Sequence, residues 1–181
     1  MAAIVNFPAL DAVQRAEAAR ILREAIAGPS WKQPGEAEAE VASFLGDDER
    51  FALAAVEGAA VLGWIGGVRS YSHALELHPL VVDPHRQRQG LGRLLVEALE
   101  ARAAAEGFLT IYLGTDDEVG GTTLFGQDLF PDPLAALAAI APTPVGHPFF
   151  FYRALGYVAV GVIPDANGPG APDILMAKAI G

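Results

Sequence analysis

Leu77–Glu97 reads LHPLVVDPHRQRQGLGRLLVE. A short apolar run (Leu80, Val81, Val82) meets a turn at Asp83-Pro84, and a polar, basic loop then ends in Gly90 and Gly92. Leu91, Leu94, Leu95 and Leu99 follow at helical spacings. Strand, glycine-bearing loop and helix start together predict an anion cradle. Glycines let the backbone approach a ligand closely, and the first N–H groups of a helix have no intrahelical partner. Those donors and the helix macrodipole favour a phosphate or pyrophosphate. Arg86, Arg88 and Arg93 add positive charge to the same loop.

A dinucleotide fingerprint needs a third glycine in G-x-G-x-x-G, and that position here is Leu95. A Walker-type loop needs Gly-Lys-Ser/Thr, which the chain lacks. What remains is Gln87-x-x-Gly90-x-Gly92 directly after a hydrophobic strand. A glycine-containing strand-to-helix turn without a ligand is the plain alternative.

At 181 residues the chain is long enough for one domain, expected over 1–181, with a real core. Its 52% hydrophobic content and positive mean hydropathy exclude a disordered class. No run reaches the roughly 18 apolar residues of a membrane span. The start MAAIVNFPALDAVQ lacks the basic flank and apolar core of a signal peptide, so a cytoplasmic location is expected. Without cysteine there is no disulfide, no thiolate metal site and no cysteine nucleophile. A net charge of −10 argues against a nucleic-acid partner. It suits a cationic small molecule, although acidic surfaces also serve solubility alone.

Residues 10–27 are expected to form an amphipathic helix with Leu10, Val13, Ala18, Ile21, Leu22 and Ala25 on one face, stopped at Gly28-Pro29. Glu17 interrupts that face. Trp31 follows in a Pro/Gly-rich loop, either as packing or as the wall of a substrate cleft, and an acidic helix is expected at about 36–45. FALAAVEG and AAVLGWIGGVRSY, split by Glu57-Gly58, read as a hairpin. A third strand at 74–82 leads into the loop, a helix runs from Gly90 to Glu106, and FLTIYL (108–113) is a strand closed from Gly114. Residues 119–147 predict a long connection with one helix near 132–140. A helix at 148–155 and strands at 157–163 and 173–179 complete the order. Helices, three strands, helix, strand, helix and two strands predict an α/β (α+β) class with a mixed, mostly antiparallel sheet flanked by helices.

The Gln87–Gly92 pattern, with ELHPLVV, IYLGTDD, GTTL, HPFFFYRALGY and PDANG..APDI in that order, resembles the GNAT acetyltransferase superfamily. The strings are most similar to its aminoglycoside 6′-N-acetyltransferase branch, over roughly residues 10–180. The resemblance implies an acyl-CoA N-acyltransferase fold, with acetyl-CoA as co-substrate in a splay between the strands ending at Val82 and Gly114. Leu80, Val81 and Val82 would offer backbone to the pantetheine. Gln87, Arg88, Gln89, Gly90, Leu91, Gly92 and Arg93 would cradle the diphosphate, with Arg86 or Arg88 supplying charge where some relatives have arginine in place of Gln87.

Transfer would then be direct, because the chain has neither cysteine nor a G-x-S-x-G elbow. The resemblance makes the Leu80 N–H the donor to the thioester carbonyl, Glu76 the first candidate to accept the ammonium proton, and Tyr152 the acid for the departing thiolate. Asp116 or Asp117, with Glu76 and Trp31, would hold the cationic acceptor. Each has a plainer reading: a solvated glutamate, turn aspartates and a core tyrosine. His73, His78, His85 and His147 are scattered without metal-site spacing, so no metal is expected. The expected partner is a small-molecule amine; the apolar C-terminal strand and the aromatic helix suit either the interface of a homodimer with a second copy of the chain or the core of a monomer. Neither nucleic acid nor membrane is expected as a partner. A protein or peptide amine, or a silent acyl-CoA-binding module, is the alternative function.

Overall fold

The computed structural model describes residues 2–26, 30–46 and 48–181. Its fold class is the one expected: a mixed, mostly antiparallel central sheet flanked by helices. Contacts divide the chain into two compact units. The first runs to Ile111 and includes Ile180–Gly181; the second is Tyr112–Ala179.

The first unit is a four-stranded antiparallel sheet with three helices. Its strands are β1 (Ala3–Asn6), β2 (Arg50–Glu57), β3 (Ala60–Val68) and β4 (Ala74–Val82), paired in that order. Its helices are α1 (Ala12–Ala25), α2 (Glu36–Ser43) and α3 (Leu91–Ala105). The β2–β3 hairpin turns at Gly58, whose φ of 61° suits glycine. β1 opens the chain where the sequence predicts helices first; four residues are too few to show a period of two.

α1 is shorter than the expected 10–27. Asp11 caps it by accepting from the Gln14 N–H at 2.8 Å, while the Gln14 side chain accepts from the Asp11 N–H at 3.1 Å. The expected stop at Gly28-Pro29 lies outside the described residues. Ala18, Ile21 and Leu22 are buried as read, but Val13 stands 78% exposed and Ala19 takes a core place instead.

Phe7, Phe44 and Trp64 meet at the centre of this core, with the Phe7 and Trp64 rings 4.9 Å apart and Phe44 and Trp64 5.6 Å apart. The Trp64 indole N–H donates to the Ala18 carbonyl at 3.0 Å, which ties α1 to β3. Trp64→Phe removes that donor and part of the ring, and should cost about 2 kcal/mol. Urea denaturation of both proteins checks the value.

The second unit takes most of β5 (Thr110–Asp116), then α4 (Pro133–Ala138), α5 (Pro148–Ala154), β6 (Val158–Ile163) and β7 (Asp173–Ala179). β5 does not close at Gly114 but continues to Asp116. A Cβ at Gly114 would fall 2.6 Å from the Asp173 carboxylate, so that glycine admits a neighbour rather than ending a strand. β6 pairs antiparallel with β7 and lies at the sheet edge, with Val158, Val160 and Ile163 exposed. Among the described residues, no helix is long and apolar enough to cross a membrane.

Candidate active site

β4 has two faces. Leu75, Leu77, Pro79 and Val81 are buried, and Glu76, His78, Leu80 and Val82 form the half-buried face opposite. ALELHPLVV alternates in the sequence, and the strand realises that period of two. β3 packs closely against it and needs glycine at two positions. A Cβ on Gly66 would fall 2.3 Å from the His78 carbonyl oxygen, and one on Gly63 2.5 Å from that of Val81.

On the open face Glu76 accepts from the Ser70 hydroxyl at 3.1 Å. Two positions along, the His78 ring lies 5.8 Å from the half-buried Trp31 ring, and its Nε2 is 3.7 Å from Glu40 Oε1. Glu40 also faces Arg50 Nη1 at 3.4 Å. Trp31, Glu40, Glu76 and His78 thus mark one polar, acidic face beside the strand. Motif reading passed over His78 and Glu40; the alternation of β4 was the signal for the histidine.

The end of β4 is fixed by Asp83, which is nearly buried. Its N–H donates to the Leu62 carbonyl at 2.9 Å, and its own carbonyl accepts from Arg86 at 2.8 Å. Its carboxylate accepts from the His85 N–H at 2.8 Å and from Arg20 of α1 at 2.5 Å. Arg20 is itself held by Glu17 at 2.7 and 3.0 Å and by Glu24. Burial raises the Asp83 carboxyl, but the His85 and Arg20 hydrogen bonds outweigh it and leave it below the ordinary value. Asp83 was legible as a turn residue, but its bond to Arg20 was not, because that contact spans 63 positions.

Beyond Asp83 the loop is built from backbone. Arg88 and Gly90 take positive φ, 58° and 83°, and Gly90 starts α3 with no side chain capping it. Gln87, Arg88, Gln89, Gly90 and Arg93 are exposed; Leu91 is buried and Gly92 half-buried. The unclaimed N–H groups at this helix start meet the requirement for a phosphate cradle. Two expectations change. The Gln87 side chain donates back to the Val82 carbonyl at 3.3 Å, and Arg86 pairs with Glu57 at 3.0 Å, so exposed charge at the loop comes from Arg88 and from Arg93, whose Nη1 lies 3.7 Å from Glu97 Oε1. The Val81 side chain points into the core, which leaves only its backbone for a ligand.

In the second unit, Asp117 does not hold a cation. It is fully buried, and its carboxylate accepts from the N–H groups of Gly120 (2.9 Å), Gly121 (2.8 Å) and Thr122 (2.7 Å) and from the Thr122 hydroxyl (2.7 Å). Asp116 is exposed; its side chain accepts from Asn167 at 2.6 Å, and its carbonyl lies 2.9 Å from His147 Nε2. Because His147 Nδ1 accepts from the Phe149 N–H at 3.2 Å, Nε2 carries the proton and donates to that carbonyl.

Tyr152 lies on α5 with its ring 5.6 Å from Tyr157. Burial pushes its phenol above the ordinary value, so it keeps its proton at neutral pH. Among the described residues, no three His, Cys, Asp or Glu gather as metal ligands.

A family model described as acetyltransferase (GNAT) family matches residues 17–121. A solved aminoglycoside 6′-N-acetyltransferase complexed with coenzyme A is 40% identical, with a TM-score of 0.90 over 98% of this chain and 97% of that one. The aminoglycoside 6′-N-acetyltransferase from Enterococcus faecium is 39% identical, with a TM-score of 0.87 over the same shares. An aminoglycoside 6′-acetyltransferase of type Ii is 34% identical, with a TM-score of 0.72, again over 98% and 97%. No curated protein sequence matches the chain.

Proposed function

Because the chain belongs to the GNAT family of acetyltransferases, we propose that it moves the acetyl group of acetyl-CoA directly to a primary amine of an aminoglycoside-like, polycationic small molecule. One observation carries the reading. The half-buried face of β4 that carries Glu76 and His78 is joined through the short turn of residues 83–89 to a backbone-built anion cradle at the start of α3. The choice of acceptor is supported by the names of the relatives at 40, 39 and 34% identity and by the net charge of −10, which favours cations.

Each residue then has a task. The N–H groups from Arg88 to Arg93 hold the diphosphate, and Leu80, Val81 and Val82 offer backbone to the pantetheine. Glu76 takes a proton from the ammonium through water, which frees the nitrogen lone pair for the thioester carbon. The Leu80 N–H stabilises the charge that grows on the carbonyl oxygen. The C–S bond breaks as the new amide nitrogen loses its second proton to water; Tyr152, protonated at neutral pH, supplies the proton for the thiolate and is reprotonated from that water. Trp31, Glu40 and His78 receive the rest of the polycation.

Thiol release from acetyl-CoA, measured across aminoglycosides, polyamines, peptides and simple amines, tests the reading. Release that depends on both substrates and is fastest with aminoglycosides is the expected result. Turnover with peptides alone would overturn the acceptor class. Folded protein with no calorimetric affinity for coenzyme A would overturn the chemistry.

Two variants probe single steps. Tyr152→Phe should lower kcat roughly tenfold to a hundredfold, with KM for both substrates little changed, because water replaces the phenol as acid. Arg20→Gln loosens the Asp83 turn without touching a substrate. It should raise KM for acetyl-CoA roughly three- to tenfold and leave kcat within about twofold, as expected of a residue that positions the cradle.

A further inference from the structure

One sizeable cleft of the first unit lies away from the cradle. It encloses about 840 Å³ and is walled by Arg50, Arg69 and Arg102 with Phe44, Phe51 and Asn6. Arg102 follows Leu91 by eleven positions on α3, which places it roughly 16 Å along the helix axis from the cradle. Nothing in the proposed transfer uses this volume. We propose that it is a separate binding site for an organic monocarboxylate with a flat apolar body.

The walls are built for such a ligand. The Arg102 guanidinium carbon sits 3.9 Å from the Phe51 ring centre, that of Arg69 4.9 Å from the same ring, and that of Arg50 5.5 Å from Phe44. Contacts of this kind hold the guanidinium groups in place, and because both rings are buried, the apolar wall open to a ligand comes from Pro8, Ala9 and Leu45. Three of the twelve basic residues of an acidic chain therefore meet at one cavity.

Existing partners do not exhaust them. Arg69 Nη2 donates to Glu106 Oε2 at 2.6 Å and Arg102 Nε to Glu106 Oε1 at 2.9 Å, so two cations share one carboxylate. Their other bonds go to neutral oxygens: Arg102 Nη1 to Asn6 at 2.8 Å, and Arg69 Nη1 to the Asp48 carbonyl at 2.6 Å. Arg50 Nη1 reaches Ser43 at 3.1 Å and Glu40 at 3.4 Å. A guanidinium has five N–H donors, more than these bonds use on any of the three.

The surroundings also set the charge. The carbonyl end of α3 opposes negative charge, so a single carboxylate suits the site better than a phosphate. The volume lies within the range of small-molecule sites, and a bracing ion-pair cluster has no need of an open cavity.

Calorimetry with 1-naphthoate as probe tests the proposal, alongside neutral 1-naphthalenemethanol of matched shape. The expected result is saturable one-to-one binding of naphthoate and about tenfold weaker binding of the alcohol. Its affinity should be the same with and without saturating coenzyme A. Arg50→Gln or Arg102→Gln, each checked for folding by circular dichroism, should weaken naphthoate about fivefold or more and leave coenzyme A affinity unchanged.

Equal affinity for acid and alcohol, displacement of naphthoate by coenzyme A, unchanged binding in both variants, or no saturable binding would each overturn it. The comparison of acid with alcohol needs neither a variant nor coenzyme A. Failure here is thus separate from failure of the acetyl-transfer reading.

Discussion

Replacing Glu76 by glutamine should lower kcat/KM for the amine by two to three orders of magnitude at neutral pH, while affinity for coenzyme A stays as it was. Glutamine keeps the length and planarity of the side chain and can still accept from the Ser70 hydroxyl, which now donates to Glu76 at 3.1 Å. Its place on the open face of β4 makes no demand on the core. What is lost is the proton acceptor and one negative charge facing a cation. General-base catalysis typically contributes a factor of about 10² to 10⁴, so about 3–4 kcal/mol of transition-state stabilisation is at stake.

The kinetic constants separate the two losses. Losing the charge that faces the cation raises KM for the amine, and losing the proton acceptor lowers kcat. Steady-state thiol release from pH 5 to 9 measures both. A variant within about threefold of wild type across that range would remove Glu76 from the mechanism.

The largest stability change is expected at Asp117. Asparagine there turns one carboxylate oxygen into an N–H donor facing the N–H groups of Gly120 and Gly121 or of Thr122, where now only acceptors stand. Losing charge-assisted bonds and leaving buried donors unsatisfied should cost about 3 kcal/mol.

The acid dependence has a definite sign. Burial raises the Asp117 carboxyl; the hydrogen bonds from the Thr122 hydroxyl and from the Gly121 and Thr122 N–H groups outweigh it, so it lies below the ordinary aspartate value. A lowered carboxyl contributes its full stability above the unfolded-state value near 4, and the contribution fades as pH falls through the folded value. Wild type should therefore lose part of its advantage over Asp117→Asn as pH falls below about 4. Chemical denaturation of both proteins between pH 3 and 7 measures the difference. A constant gap across the range would contradict the assignment.

Asp117 also shows where sequence reading reached its limit. Aspartate after a strand reads as a surface turn. What buries it is the set of three successive N–H groups, from Gly120 to Thr122, that curl back onto it, and only the folded loop reveals that. Gly114 misled for a related reason: glycine punctuates, yet here it makes room for Asp173. β4, α3 and the Glu57-Gly58 hairpin were legible because their signals are local, a period of two, a period of 3.6 and a turn.

The cradle was legible for the same reason: strand, glycines and helix start lie within one stretch of chain. Arg20 was not, because the bond from α1 to Asp83 exists only once distant parts of the chain have met. Glu76 was named from the family resemblance, and His78 was missed although the same alternation carries both.

The two-sidedness of β4 bears on how such an enzyme could change its diet. Leu75, Leu77 and Val81 answer to folding, whereas Glu76, His78 and Leu80 face away from that core. A library randomising Glu76 and His78 should consist mostly of well-folded members. New acceptor preferences would then be open to selection one codon at a time, without a compensating repair elsewhere in the chain.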